Sequence, residues 1–339
     1  MARNKKLVLL LISFILSLPF WWGMNILARE IENFYYWQEI ANKPEIFTAQ
    51  ASQQFASKKL RELKEDKQRL ENLRHLNVNA KAAISVKVDN KGREKILFEK
   101  NPDERLPIAS ITKLMTALVV YDFKETYNLS QLITISKEAV NQEGDSKWGD
   151  LKVGEKLSVK NLLHMALIES SNDAAFALTE PIGEKGFVDL MNIESRKIGL
   201  NNTRFFNPTG LEPDEPDGLI NYSTVRDLVR LAQYILKNYP QIFKISLNQS
   251  YVILKPNGAL HHFIPENTNK LLGKVPGIIG GKTGWSPKAS GCLLLILKDP
   301  KGSGYFINVV LGSKDRFGDM EKIIKGAGFE LESALEAKE

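Results

Sequence analysis

Pro107-Ile-Ala-Ser110-Ile-Thr-Lys113-Leu-Met-Thr-Ala-Leu118 is the stretch on which the reading of this chain turns. It reads as the mouth of an apolar helix, with a serine and a lysine one turn apart on the same face. Pro107 marks the entry, because proline suits a first helical turn. A serine there lies near backbone N–H groups that have no partner and carry partial positive charge. Leu114, Met115 and Leu118 flank the lysine, and burial among them favours its uncharged amine. A weak alcohol beside an amine able to take its proton is the minimum equipment for an activated serine nucleophile. A structural reading stands beside this one. Ser-x-x-Lys arises by chance in a chain of ordinary composition, and serines at helix starts commonly serve as caps.

Working outward, Ala82–Val88, the turn Asp89-Asn-Lys-Gly92 and Lys95–Phe98 predict a strand, a turn and a second strand. Downstream, Leu157–Ile168 begins with a capping Ser158 and continues with helical periodicity. Thr224 and Asp227 stand at capping-box spacing at the start of another helix. Three strands close the sequence, over Ile278–Trp285, Gly291–Leu297 and Tyr305–Leu311, and a helix over Phe317–Lys325 comes after them. Strands at both ends with helices between predict an α/β (α+β) domain: one sheet assembled from distant segments, beside a helical subdomain.

Two further polar clusters are candidates for chemistry. Ser170-Ser-Asn172 falls where a helix gives way to small residues, and Lys282-Thr283-Gly284-Trp285 sits on the first closing strand. Each has a plain structural reading, and Ser246-Leu-Asn248 repeats the first triplet. The ordered set of three is harder to obtain by accident than any member. Other chemistries have weaker support. The only histidines are His75, His164, His261 and His262, none in a recognisable triad setting, and no G-x-S-x-G elbow is present. A single cysteine, Cys292, excludes an internal disulfide and any multi-thiolate zinc site. No cofactor and no metal is expected. The net charge of +6 is scattered among acids, so no nucleic-acid partner is expected.

At the N-terminus, Arg3, Lys5 and Lys6 precede an apolar run from Leu7 to Leu27. At about 1.5 Å per residue the run matches a hydrocarbon core ~30 Å thick. The basic residues on its N-terminal side predict that the chain beyond Ala28 is exported. A retained membrane anchor over 1–28 is favoured over a cleaved signal, which has a shorter apolar core and small residues at the cut. Residues 29–78 predict a juxtamembrane helical stalk, with Phe55, Leu60, Leu63, Leu70 and Leu73 at helical spacing. Residues 79–329 form the expected catalytic domain, and 330–339 a polar tail.

The three clusters in this order resemble the serine D-alanyl-D-alanine carboxypeptidases among the low-molecular-mass penicillin-binding proteins. The resemblance extends to Phe206-Asn-Pro-Thr-Gly-Leu211, Tyr222–Leu228 and Asn267–Leu272, and covers roughly residues 80–328. It implies a β-lactamase/transpeptidase-like fold, an antiparallel sheet flanked by helices, here preceded by a transmembrane helix. It also implies that Ser110 attacks the bond between two terminal D-alanines of a peptidoglycan stem peptide, with Lys113 as base. Ser170 would relay a proton and Asn172 would hold Lys113. Lys282, Thr283, Gly284 and Trp285 would bind substrate, with the amides of Ser110 and Trp285 as oxyanion donors. β-Lactams would acylate Ser110. A DD-endopeptidase, a class A-like β-lactamase using Glu212 or Glu215, and a non-catalytic penicillin-binding sensor are the alternatives.

Overall fold

A computed structural model describes residues 44–142, 151–213, 218–300 and 304–329, with residue 302 and isolated positions between 24 and 38. The chain divides into two units, residues 1–68 and 69–339. The expected anchor lies outside the described residues except at Met24, Leu27 and Ala28, and the expected tail lies wholly outside them. Among the described residues, no helix is long and apolar enough to cross a membrane.

Helix α1 spans Pro44–Arg74. In the first unit its Phe55, Leu60 and Leu63 are exposed. In the second unit its Leu73 is buried under the sheet's outer face. Strands β1 (Ala82–Asp89) and β2 (Glu94–Lys100) form the expected hairpin. A two-residue strand β3 (Leu106–Pro107) leads into a 3-10 turn at Ala109–Thr112, and helix α2 begins only at Lys113 (Lys113–Asp122). Pro107 therefore does not open a helix as expected. It pairs with Tyr222, and Ala109, at φ +45°, breaks the path between strand and helix.

The middle of the chain is largely helical. It runs β4 (Leu132–Thr134), α3 (Lys137–Val140), β5 (Lys156–Ser158), α4 (Val159–Ile168), α5 (Asn172–Ala177) and α6 (Glu184–Ile198). Next come strand β6 (Tyr222–Ser223), α7 (Val225–Asn238), α8 (Gln241–Ser246) and the hairpin β7 (Tyr251–Leu254)–β8 (Leu260–Ile264). Strands β9 (Ile278–Ser286), β10 (Ser290–Lys298) and β11 (Gly304–Ser313) and helix α9 (Arg316–Gly326) complete the unit. The short β4–β5 pair and the β7–β8 hairpin have no counterpart in the sequence reading.

The caps explain where these helices begin. Ser158 accepts from the Asn161 amide and Thr224 from the Asp227 amide, as expected. The reciprocal half of the capping box is missing. The Asp227 carboxylate turns instead to the Asn202 amide and the Thr203 hydroxyl, which hold the loop before β6.

The sheet is antiparallel in the order β2–β1–β11–β10–β9, so strands from both ends of the unit meet at β1–β11, with Ile84 opposite Val309. Both faces of β10 and β11 are covered, which accounts for their nearly unbroken apolar sequences. One face packs against α2, α4 and α7 in the main core, and the other against α9. Ile307, fully buried on the central strand, packs in that main core. Ile307→Ala should cost about 2–5 kcal/mol by leaving a cavity. Urea denaturation with an unchanged m-value would show it.

Candidate active site

Lys113 is fully buried at the start of α2, where its Nζ lies 2.8 Å from Ser110 Oγ. The same Nζ donates to Asn172 Oδ1 at 2.5 Å and to the Thr209 carbonyl at 3.0 Å. Two of these partners are carbonyl oxygens, which only accept, while the third is a hydroxyl, which can also donate. The Nζ donates along all three contacts, and only the one to the Ser110 hydroxyl can reverse when a proton moves from the serine to the amine. The tight 3-10 turn puts serine and lysine three residues apart with both side chains in one polar pocket.

Ser170 and Asn172 are brought to this pocket by the break between α4 and α5. Ser170 adopts φ +71°, a left-handed conformation uncommon for serine, and Ser171 caps α5 through the Ala174 amide. Lys282 on β9 is also buried, and its Nζ donates to Ser170 Oγ at 2.8 Å and to the Thr283 carbonyl at 3.0 Å. Burial, then the nearby charges of Lys113 and Arg316, push the Lys282 pKa well below the ordinary lysine value. The Thr283 hydroxyl donates to Thr268 at 2.6 Å. Trp285, on the same strand, is largely exposed. A hydroxyl, an amine and an amide oxygen thus face a second hydroxyl–amine pair, with groups drawn from the α2 entry, the α4–α5 break and β9.

Residues 67–315 match the peptidase S11 family, described as D-alanyl-D-alanine carboxypeptidase. The chain belongs to that family. It is similar to D-alanyl-D-alanine carboxypeptidase DacF of Bacillus subtilis, 34% identical over 80% of this chain and 67% of DacF. It is also similar to a D-alanyl-D-alanine endopeptidase of Pseudomonas aeruginosa, 36% identical over 63% of this chain and 66% of that protein. The chain thus spans about two thirds of the length of these relatives. Among solved structures, penicillin-binding protein D2 of Listeria monocytogenes in its ampicillin-bound form superposes with a TM-score of 0.61. It is 28% identical, over 74% of this chain and 98% of that one. The fold is thus the mixed α/β, penicillin-binding type, with an antiparallel sheet and flanking helices.

Several residues shape this D-alanyl-D-alanine carboxypeptidase pocket in ways the sequence reading did not assign. Thr209 contributes only its carbonyl, so nothing about its side chain announces it. Its loop is held by Asn221, whose Oδ1 accepts from the Phe206 amide while its Nδ2 donates to Thr112 Oγ1 and the Asn207 carbonyl. Gly210 must be glycine, since at φ +85° a Cβ would lie 2.0 Å from the Ala109 carbonyl oxygen. At Gly284 a Cβ would lie 3.0 Å from the Ser110 amide nitrogen, so β9 runs directly against the serine turn. Arg316 of α9 donates to the Gly284 carbonyl from behind the strand. Glu212, considered for a β-lactamase, is bound to the β9–β10 turn through Ser286 Oγ and the Lys288 amide. Glu215 lies outside the described residues.

The depressed pKa of Lys282 has a thermodynamic consequence. Between its folded value and the ordinary 10.5, the folded chain binds fewer protons there than the unfolded chain. Stability from this group therefore rises with pH across that window. The unfolding free energy of the wild type minus that of Lys282→Met should grow as pH rises from neutral towards 10.5. Urea midpoints taken at successive pH values measure the difference, and a flat or falling trend would contradict it.

Proposed function

We propose that this protein is a membrane-anchored serine D-alanyl-D-alanine carboxypeptidase that trims peptidoglycan stem peptides. The observation that carries the reading is Lys113 Nζ, 2.8 Å from Ser110 Oγ with two carbonyl acceptors on its other side. Ser110 Oγ attacks the carbonyl between the two D-alanines as its proton passes to Lys113. The C–N bond breaks, the departing amine takes a proton through Ser170, and an ester on Ser110 remains for water to cleave. Asn172 keeps Lys113 aimed at the serine. The amides of Ser110 and Trp285 stabilise the oxyanion. The terminal carboxylate of the substrate is received by Lys282, Thr283 and Gly284. Lys282 is poorly charged among its cationic neighbours, and an arriving carboxylate favours its charged form. The same groups would accept a β-lactam, and the ampicillin-bound Listeria structure supports that reading.

The anchor rests on Arg3, Lys5 and Lys6 before the apolar run Leu7–Leu27, which would hold the catalytic domain, residues 79–329, on the extracytoplasmic side. Residues 29–78 would serve as the stalk. A second reading, a DD-endopeptidase cutting cross-linked peptides, draws support from the Pseudomonas relative.

The full chain is expected to release D-alanine from diacetyl-Lys-D-Ala-D-Ala and to form an ampicillin adduct on Ser110 detectable by mass spectrometry. Absence of both would refute the enzyme reading, and faster cleavage of a cross-linked dimer would favour the endopeptidase. Lys113→Ala should lower the acylation rate by about 10²-fold or more, the usual contribution of a general base. Acylation at the native rate would remove Lys113 from that role.

A further inference from the structure

His261 and His262 take no part in the acyl-transfer chemistry, yet they connect to Glu169, the residue before Ser170. The β7–β8 register shifts between Ile253 and Leu254, so Ile253 faces His262, Leu254 faces Leu260, and His261 is the extra residue of a bulge. A bulge re-aims side chains that would otherwise alternate. Here it lets both imidazoles turn inward, with His261 3% and His262 17% exposed. Their Nδ1 atoms lie 2.7 Å apart. His261 Nε2 lies 3.1 Å from Glu155, the residue before β5, and His262 Nε2 lies 3.2 Å from Glu169. Glu169 immediately precedes Ser170 and is itself buried. The four side chains form a line rather than a cage, and no metal-holding cluster occurs among the described residues.

The line has a fixed proton requirement. Each of its three contacts needs a single hydrogen between two heavy atoms. Two carboxylates and two neutral imidazoles supply only two hydrogens. Three contacts therefore require one excess proton, and the four groups together carry a charge of −1. With one proton fewer, two lone pairs face each other across a short contact. With one more, two N–H groups do.

The line ends at a strained residue. Glu169 is the last group before Ser170 at φ +71°. The segment after β8 grips the same helix end, where the Thr268 amide donates to the Ile168 carbonyl at 3.2 Å. Thr268 also accepts from Thr283 on β9. Through Glu169 and Thr268 the hairpin is fixed to both Ser170 and Thr283.

We propose that Glu155, His261, His262 and Glu169 form a one-proton clamp that positions Ser170 for the proton transfer to the leaving group. The proposal rests on the acyl-transfer reading of the site. His262 and Glu169 are its positioning residues, and the clamp is intact only over a middle range of pH. Other titratable groups on the surrounding elements are Lys152 and Lys156 around Glu155, Lys160 and His164 on α4, Tyr251 on β7, Glu266 after β8, and Lys282 at Ser170. The Lys152 amide donates to Glu155 at 2.6 Å and reinforces its acceptor role. His164 is a separate ring. It bonds the Lys160 carbonyl, stacks on Tyr251 at 4.1 Å, and has its pKa lowered by burial.

Histidine-selective ¹⁵N labelling of the full chain reads the clamp directly, with His261→Gln and His262→Gln giving the assignments. Three of the four ring nitrogens of His261 and His262 should carry hydrogen near neutral pH, and the two rings should lose the third in one shared step. Two rings that titrate independently of each other would overturn the clamp. The second measurement is Ser110 acylation by a labelled penicillin across the range in which histidines titrate. Glutamine at 262 keeps a donor for Glu169 but does not titrate, whereas leucine fills similar space without a donor. His262→Leu should slow acylation about tenfold, a modest misplacement. His262→Gln should keep most of the rate and lose the pH limbs that the wild type shows. Equal rates for the two variants, or limbs unchanged in both, would overturn the positioning role. A wild type that never acylates removes that role together with the acyl-transfer reading, while three ring hydrogens would still report the clamp itself.

Discussion

A lysine with no exposed surface has to find partners for its amine inside the protein, and the arrangement of this domain follows from how Lys113 does so. Its two carbonyl partners come from different parts of the chain, Asn172 from the α4–α5 break and Thr209 from the loop before β6. Both are acceptors that cannot be removed without leaving a buried polar atom unmatched, which is costly. Their loops must therefore arrive at a fixed place. Asn221 fixes one of them by filling its hydrogen bonds between that loop and Thr112. The other is fixed by the capping of α5 through Ser171 and by the grip of Thr268 on the end of α4.

The second amine repeats the theme with different consequences. Lys282 reaches Ser170 from β9, and burial, then the nearby Lys113 and Arg316, hold its pKa well below the ordinary lysine value. An anion beside Lys282 would favour its charged form. That is the sense in which the proposed carboxylate site would be preorganised.

Much of this was legible in the sequence, for identifiable reasons. The apolar runs of β10 and β11 and the hairpin β1–β2 announced themselves because buried strands need such residues. Ser158 and Thr224 marked helix starts because their hydroxyls do a local job. What could not be read depended on backbone or on distance. The carbonyl of Thr209 has no residue signature, and the 3-10 turn before Lys113 follows from Ala109 and its contact with Gly210, about a hundred residues later. The histidine pair was visible as letters but had no recognisable setting. Its meaning comes from a bulge and from two glutamates on other elements.

The approach of Gly210 to Ala109 and of Gly284 to Ser110 bears on how the chain comes to fold. The serine turn is shaped by backbone that is synthesised long after it, and β1 has no partner on its inner side until β11 is made. Contacts so far apart in sequence are slow to form, because loop closure must precede any gain from them. A chain caught partway through synthesis would hold Ser110 and Lys113 without the loops that aim one at the other. Chemical competence is then a property of the finished domain.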